Sequence, residues 1–302
     1  MIVLIKSYLL KLRYSFSLKR KVRLYNLLNN LNIISSPESI KYILDNKCSI
    51  SRFGEGEFLV MGGHSNGFQR ENGKLATRLK EVMLYPVPNH IVGIPSSLKD
   101  RSKFKINSQL FILEYLLLHG ENDLLPYVNP KRIYLDSLFT RFYMPYKRPI
   151  YGLTYIELLK NIWAGQNILI IEGRYSRLGV GNNLFSNVKS VQRILGPEHD
   201  AFDVYDVLLA KAKQYGEGKL ILLALGMTAT VLAYDLAKIG YQALDIGHID
   251  LEYEWFQMKA KNKCPVPGKM VSEIVNGKPS DSYINEEYEN QIIARIYDSE
   301  TI

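Results

Sequence analysis

The chain has 302 residues, 47% of them hydrophobic and 23% charged, which supplies a sizeable core and excludes a disordered polymer. Its net charge of +8 is lodged in one place: seven basic and no acidic residues precede Glu38, and the rest of the chain is near neutral. A basic arm suits an anionic membrane surface or an anionic ligand; nucleic acid is disfavoured, because the charge is confined to the arm and no reading motif follows it.

Residues 2–31 carry Ile5, Leu9, Leu12, Phe16, Leu24, Leu27 and Leu31 at helical spacing, with lysines and arginines between them. This predicts a basic amphipathic helix. It either lies on an anionic membrane through residues 1–30 or packs on the domain with its charges solvated. No run reaches the roughly 18 apolar residues of a membrane span. Met1–Leu10 is interrupted by Lys6 and lacks the features of a cleaved leader. Ser35-Ser36-Pro37-Glu38 opens the next helix, to about Asn46, which divides the chain into an arm, 1–34, and one domain, 35–302.

Cys48–Phe53 reads as a short strand ending in a glycine-punctuated acidic loop, Gly54-Glu55-Gly56-Glu57. Ile91–Ile94 and Arg132–Leu135 read as further strands, with a helix over 106–119 between them. Arg141–Pro149, aromatic, basic and holding two prolines, reads as a loop or edge. Strands at Asn167–Ile171, Val188–Leu195, Lys219–Leu225 and Tyr241–Ile246 then alternate with helices at Phe202–Tyr215, Thr228–Ile239 and Ile249–Lys261. Continuous apolar strands alternating with amphipathic helices predict an α/β fold, a Rossmann-like, mostly parallel sheet with helices on both faces. Cys48 and Cys264 show no metal-ligand spacing, so a reducing cytoplasm, at most peripheral to the cell membrane, is the simplest setting.

In such sheets ligands bind beyond the carboxyl ends of the strands. Four segments follow strands in this way. Glu55 and Glu57, two apart, point the same way if extended and would offer two hard oxygen ligands to a divalent cation; a solvated acidic turn is the plainer alternative. Glu172, Gly173, Arg174, Arg177, Gly179, Gly181, Asn182 and Asn183 combine glycines, amides and two arginines, as a phosphate-holding turn does, or as an ordinary strand-to-helix loop does. Gly226, Thr228 and Thr230 start a helix, where free N–H groups attract phosphate or hydroxyls merely cap. Gly247, His248, Asp250, Glu252 and Glu254 form the densest ionisable cluster, in which one carboxylate would deprotonate an acceptor hydroxyl and the others serve structure.

The same segments carry a resemblance. Ser51–Phe58 (SRFGEGEF), Ser176–Phe185 (SRLGVGNNLF), Ala224–Asp235 (ALGMTATVLAYD) and Asp245–Trp255 (DIGHIDLEYEW) resemble the GT-D glycosyltransferases, a family first catalogued as a domain of unknown function. The resemblance covers about residues 40–275. It implies a Rossmann-like single domain, a UDP-sugar donor, a divalent metal held by an Asp-x-Glu motif, and work on bacterial surface adhesins, capsule or exopolysaccharide. Position 55 is Glu where the familiar motif has Asp, and position 183 is Asn where it has Asp. Asp250-Leu251-Glu252 is itself an Asp-x-Glu, so two places for the metal stay open.

The combined expectation is a metal-dependent transferase moving a hexose from a UDP-sugar to a hydroxyl of a glycan or lipid-linked glycan. Arg52, Phe53, Gly54, Arg174, Arg177, Gly179, Gly181, Asn182, Asn183, Gly226 and Thr228 would bind the donor. Glu55 and Glu57 would hold Mn²⁺ or Mg²⁺, and Asp250, Glu252 and His248 would act at the acceptor. The alternative is a non-catalytic, membrane-associated subunit that binds nucleotide or glycan for a larger complex.

Overall fold

The computed structural model describes residues 2–65, 69–148, 152–275, 277, 279 and 285–297. Met1, Pro149 at the end of the expected loop, and the last five residues of the expected domain lie outside the described residues.

The arm forms two helices, α1 (Ile2–Arg20) and α2 (Val22–Asn30), because the backbone turns out of helical geometry at Lys21. A two-residue strand, β1 (Asn32–Ile33), precedes α3 (Ser36–Asn46). Glu38 closes the start of α3 by accepting from both the amide and the hydroxyl of Ser35, at 3.1 and 2.7 Å. Then come β2 (Ser49–Arg52), α4 (Glu55–Met61), α5 (Gly73–Leu84), β3 (His90–Ile94), α6 (Ile106–Leu118), β4 (Ile133–Asp136) and α7 (Leu153–Lys160). The second half holds β5 (Asn167–Gly173), β6 (Ser190–Gly196), α8 (Tyr205–Tyr215), β7 (Leu220–Ala224), α9 (Met227–Lys238), β8 (Ala243–Asp245), α10 (Ile249–Gln257), α11 (Glu286–Gln291) and β9 (Ile292–Arg295). Among the described residues no helix is long and apolar enough to cross a membrane.

The nine strands form one parallel sheet in the order β1-β4-β3-β2-β8-β7-β5-β6-β9. Strand residues are apolar on both sides because helices cover both faces. Ile168 and Ile170 of β5 face one core with α3, α7 and α10; Leu169 and Ile171 face another with α8 and α9. A third core, over β2 to β4, gathers α2, α4, α5 and α6, and Leu18, Leu24, Leu28 and Leu31 of the arm are buried in it. On β2 the residues turned to α9 are serines. Ser51 Oγ donates to the Thr230 carbonyl at 2.6 Å and lies 2.7 Å from His90 Nε2. Small side chains there let α9 lie close against the strand.

The topology creates the site. β2 and β8 are neighbours, yet the chain leaves β2 into α4 on one face and leaves β8 into α10 on the other. β5 and β7 also diverge: Leu178 and Leu184, following β5, enter the α10-side core, whereas α9, following β7, enters the opposite one. Diverging connections open a crevice at the carboxyl edge of the sheet.

One local expectation is corrected. Glu55 and Glu57 do not sit in an extended segment but in the first turn of α4, with Gly54 as its cap. At 3.6 residues per turn their side chains leave the helix on nearly opposite sides.

Candidate active site

A cleft of about 1200 Å³ runs along the carboxyl edge, lined from the ends of β2, β3, β4, β5, β7 and β8 and walled outwardly by α1 and α6. Its floor is built on Arg52. That guanidinium donates to Asp245 Oδ1 through Nε and Nη2 (3.2 and 3.1 Å), and through Nη1 to the Ser137 carbonyl (3.0 Å) and Thr140 Oγ1 (2.7 Å). It thereby ties β2, β8 and the turn after β4. Burial raises the Asp245 carboxyl above its ordinary range, and Arg52 offsets only part of this.

At the start of α4, Glu57 turns back to accept the Gly54 amide at 2.7 Å. Burial pushes its carboxyl up to about 7; the Gly54 bond opposes this, and nearby Asp245 and Glu55 add to it. Glu55 makes no hydrogen bond or ion pair with a described residue. Both glutamates line the cleft.

The α10 carboxylates are engaged elsewhere. Asp250 Oδ1 accepts from the Gly179 amide and from Asn182 Nδ2, both at 2.8 Å, and Oδ2 meets Lys269 Nζ at 2.6 Å. Glu254 Oε1 shares Lys269 (2.9 Å) and Asn182 (2.7 Å). Glu252 Oε2 accepts the amides of Tyr143 and Met144 at 2.9 and 2.7 Å, shaping the aromatic loop. Burial raises Asp250 and Glu252 above the carboxylate range, against Lys269 in one case and Arg141 in the other. His248 is held neutral, at about 3, first by burial and then by Arg141. It lies 3.8 Å from Glu273. Burial alone would raise Glu273, but the guanidinium of Arg141 above all, with Lys263, outweighs it and brings the carboxyl to about 2.

The loop after β5 is held by its own contacts. Glu172 takes the Leu178 amide and Arg193, Arg174 pairs with Glu198 at 2.7 Å, and Arg177 reaches the Gly268 carbonyl. Asn183 accepts from the Tyr253 hydroxyl. Gly179 and Gly181 have φ of 74° and 78°, and at 179 a Cβ would strike the Phe185 ring at 2.4 Å.

Of the expected site residues, Arg52, Phe53, Gly54, Glu55, Glu57, Gly226, His248 and Asp250 line the cleft. Arg174, Arg177, Gly179, Gly181, Asn182, Asn183, Thr228 and Glu252 do not; they lie behind its wall. Sequence reading missed a cationic wall. Arg101, Lys105 and Lys147 line the cleft and rest on main-chain carbonyls: Arg101 on Ser97 and Leu98, Lys105 on Lys261, Lys147 on Ser102. No carboxylate among the described residues bridges them, so their charge stays available. The cleft as a whole is lined by both signs of charge, and these three are cations that no described salt bridge ties to a carboxylate. Asp245 had a signal, a carboxylate ending a buried apolar strand; Arg101, Lys105 and Lys147 are scattered and had none.

The residue 50–274 stretch matches the family model described as "Glycosyltransferase GT-D fold". The chain belongs to the GT-D glycosyltransferase family. It is 34% identical to the glycosyltransferase GlyD of Streptococcus pneumoniae serotype 4, over 86% of this chain and 32% of the relative. It is 32% identical to the probable glycosyl transferase Gly of Streptococcus gordonii, over 88% of this chain and 39% of the relative. The chain therefore spans only about a third of the length of these relatives. A solved structure of domain of unknown function 1792, described as a distinct glycosyltransferase fold, superposes with a TM-score of 0.85 at 34% identity, over 91% of this chain and 99% of that one. A glycosyltransferase structure from Streptococcus sanguinis gives 0.81 at 33% identity, over 88% and 99%. The GT-D membership accounts for the expected Rossmann-like sheet.

A metal set is the remaining element. Among the described residues one trio of potential ligands converges, His64, His119 and Asp123, whose ligand atoms lie within 4.8 Å of one another. None of the three lines the cleft. Among the described residues Glu55 and Glu57 belong to no such trio, so a cation there would draw further oxygens from a bound diphosphate, as magnesium commonly does.

Proposed function

We propose that this GT-D protein transfers a hexose from a UDP-sugar to a hydroxyl of a bacterial surface glycan, with Mn²⁺ or Mg²⁺ assisting departure of the nucleotide. The observation that carries this reading is the presence of open carboxylates and unbridged cations in one cleft. Glu55, with no described partner, and Glu57, which holds only the Gly54 amide, line the same cleft as Arg101, Lys105 and Lys147, which no described carboxylate bridges. A metal-bound diphosphate is the ligand class that needs both. When bound, the cation would stabilise charge developing on the leaving diphosphate.

The chain's own residues do the rest. Arg52 fixes the cleft floor, and Gly226, with φ of 54°, brings the start of α9 to the cleft edge. Arg174, Arg177, Gly179, Gly181, Asn182, Asn183 and Thr228 act indirectly, by holding the donor loop in shape. Asp250 serves that support as well, through Lys269, the Gly179 amide and the Asn182 side chain, whereas Glu252 holds the Tyr143 and Met144 amides of the aromatic loop. The acceptor hydroxyl would meet the donor beside His248 and Glu273, and the basic arm would lie against the inner face of the cell membrane.

The test is nucleotide release across a panel of nucleotide sugars, in chelated protein and after adding back Mn²⁺ or Mg²⁺. Release from a UDP-sugar only with metal is the expected result. Release of no nucleotide from any donor, with nucleotide or glycan still bound, would instead support the non-catalytic subunit.

A further inference from the structure

From Ile5 onward, helix α1 is built inside out. The face it turns to α6 and the core bears Ser7, Lys11, Tyr14, Ser15 and Leu18, of which only Leu18 is fully buried. The opposite face bears Ile5, Leu9, Leu12 and Phe16, spaced four, three and four apart, and these are 52%, 60%, 64% and 60% exposed. A surface helix ordinarily turns its apolar stripe inward. Here the stripe is outside and flanked along both edges by exposed Lys6, Arg13, Lys19 and Arg20. An exposed stripe of four large apolar side chains marks a surface that something else covers.

The charge decides the occupant. Two copies of this chain joined through the stripe would bring their basic borders together, whereas a bilayer with anionic headgroups offers hydrocarbon to the stripe and negative charge to both borders. The stripe also leads into the cleft. Tyr8 of α1 and Phe111 of α6, 48% and 53% exposed, line its outer wall beside Leu59 and Ile112. Helix α1 therefore carries the stripe on its outer face and lends Tyr8 to the wall of the cleft.

We infer that α1 docks flat on an anionic membrane and that the acceptor is consequently a lipid-linked glycan presented at that surface, entering the cleft past Tyr8 and Phe111. This rests on the transferase reading for the acceptor and stands apart from it for the docking.

The experiment compares the full chain with a triple variant, Leu9→Ser, Leu12→Ser and Phe16→Ser. All three positions are exposed, so folding is preserved, unlike in a deletion that would remove Leu24 and Leu28 from the core. Flotation with phosphatidylglycerol vesicles should retain the parent chain and lose the variant by about 100-fold. Phosphatidylcholine vesicles should retain the parent about ten-fold less well. With bacterial membranes and the best radiolabelled UDP-sugar, label should enter the organic-extractable lipid fraction, and the variant should lose this while its acceptor-free nucleotide release and melting temperature hold. Equal flotation of parent and variant overturns the docking. So does a parent that fails to float and sediments as a dimer that the variant breaks, which makes the stripe an interface between copies. Label found only in protein overturns the acceptor assignment. A parent that floats but releases no nucleotide from any donor defeats the transferase reading and the acceptor with it, and leaves the docking intact.

Discussion

Two helices begin at the carboxyl edge of neighbouring strands, each with carboxylates in its first turn, and they use them differently. At α10, Asp250, Glu252 and Glu254 are occupied by Lys269, Asn182 and three backbone amides. At α4, Glu57 holds one amide and Glu55 nothing described. Written as sequence the two are alike, an acidic cluster after a strand and a glycine. The difference lies in who answers the charge. A buried carboxylate whose oxygens are met by protein groups is part of the framework, whereas one left open on a cleft wall is available to a ligand.

The largest effect expected from this contrast is at α4. Chelation, or Glu55→Gln, should lower nucleotide release by about 10²–10³-fold with little change in melting temperature, since no described partner is lost. A Glu55→Gln protein that releases nucleotide at the parental rate would erase the contrast. At α10 the order reverses. Asp250→Asn leaves Lys269 buried beside one remaining carboxylate and should cost about 3 kcal/mol of stability, visible as an earlier urea midpoint. At a temperature where the variant stays folded, release should hold within about ten-fold, less than the 10²–10⁴-fold cost of losing a general base. Collapse of turnover in a stable Asp250→Asn protein would return the acceptor chemistry to α10.

A third measurement concerns pH. His248, at the start of α10, and His90, beneath α9, are both held near 3 by burial, with Arg141 adding in the first case and Arg132 in the second. Their folded values lie below the unfolded value near 6.5. The unfolded chain therefore takes up protons first, and stability present above pH 6.5 is lost as pH falls toward 3. Buried His90 contributes a slope of about 1.4 kcal/mol per pH unit in that window, and His248, part-exposed at the cleft, contributes less. Urea midpoints from pH 7 to 4 should fall accordingly, and His248→Gln should flatten the curve; an unchanged slope would contradict its burial as a neutral ring. The smallest effect sharpens the α4 side. Lys147→Ala, which removes one cation from the cleft lining, should weaken UDP affinity about three- to ten-fold, more at low salt than at high, as calorimetry would record.

Much of the fold was legible because buried parallel strands write themselves as unbroken apolar runs. Asn167–Ile171 and Lys219–Leu225 were read nearly to the residue, and α9 and α10 followed from their periodicity. The short helix α4 was not, since Gly-Glu-Gly-Glu has the look of a turn and its helicity depends on Gly54 capping and on Phe58, Val60 and Met61 packing inward. The break at Lys21 was hidden because apolar spacing continues across it. In the site, the strand ends that the sequence singled out lie at the sheet edge where the cleft opens. The assignment within that edge failed to separate Arg52, which faces the cleft, from Arg174 and Arg177, which lie behind its wall, because spacing does not report which partner a side chain finds.

Arg52 and Gly247 carry a consequence for how this protein tolerates change. Gly247 has φ of 47°, and a methyl group there would lie 1.8 Å from Arg52 Nη2. The guanidinium occupies the space that a side chain at 247 would need, although the two residues are 195 positions apart. The pair therefore behaves as one unit of inheritance. In a randomised library selected for folding, any larger residue at 247 should survive only in clones where 52 has become shorter, and those clones must find another way to join β2 to β8. Recombination with a relative through a crossover between the two positions should be tolerated only when both parents share the pair.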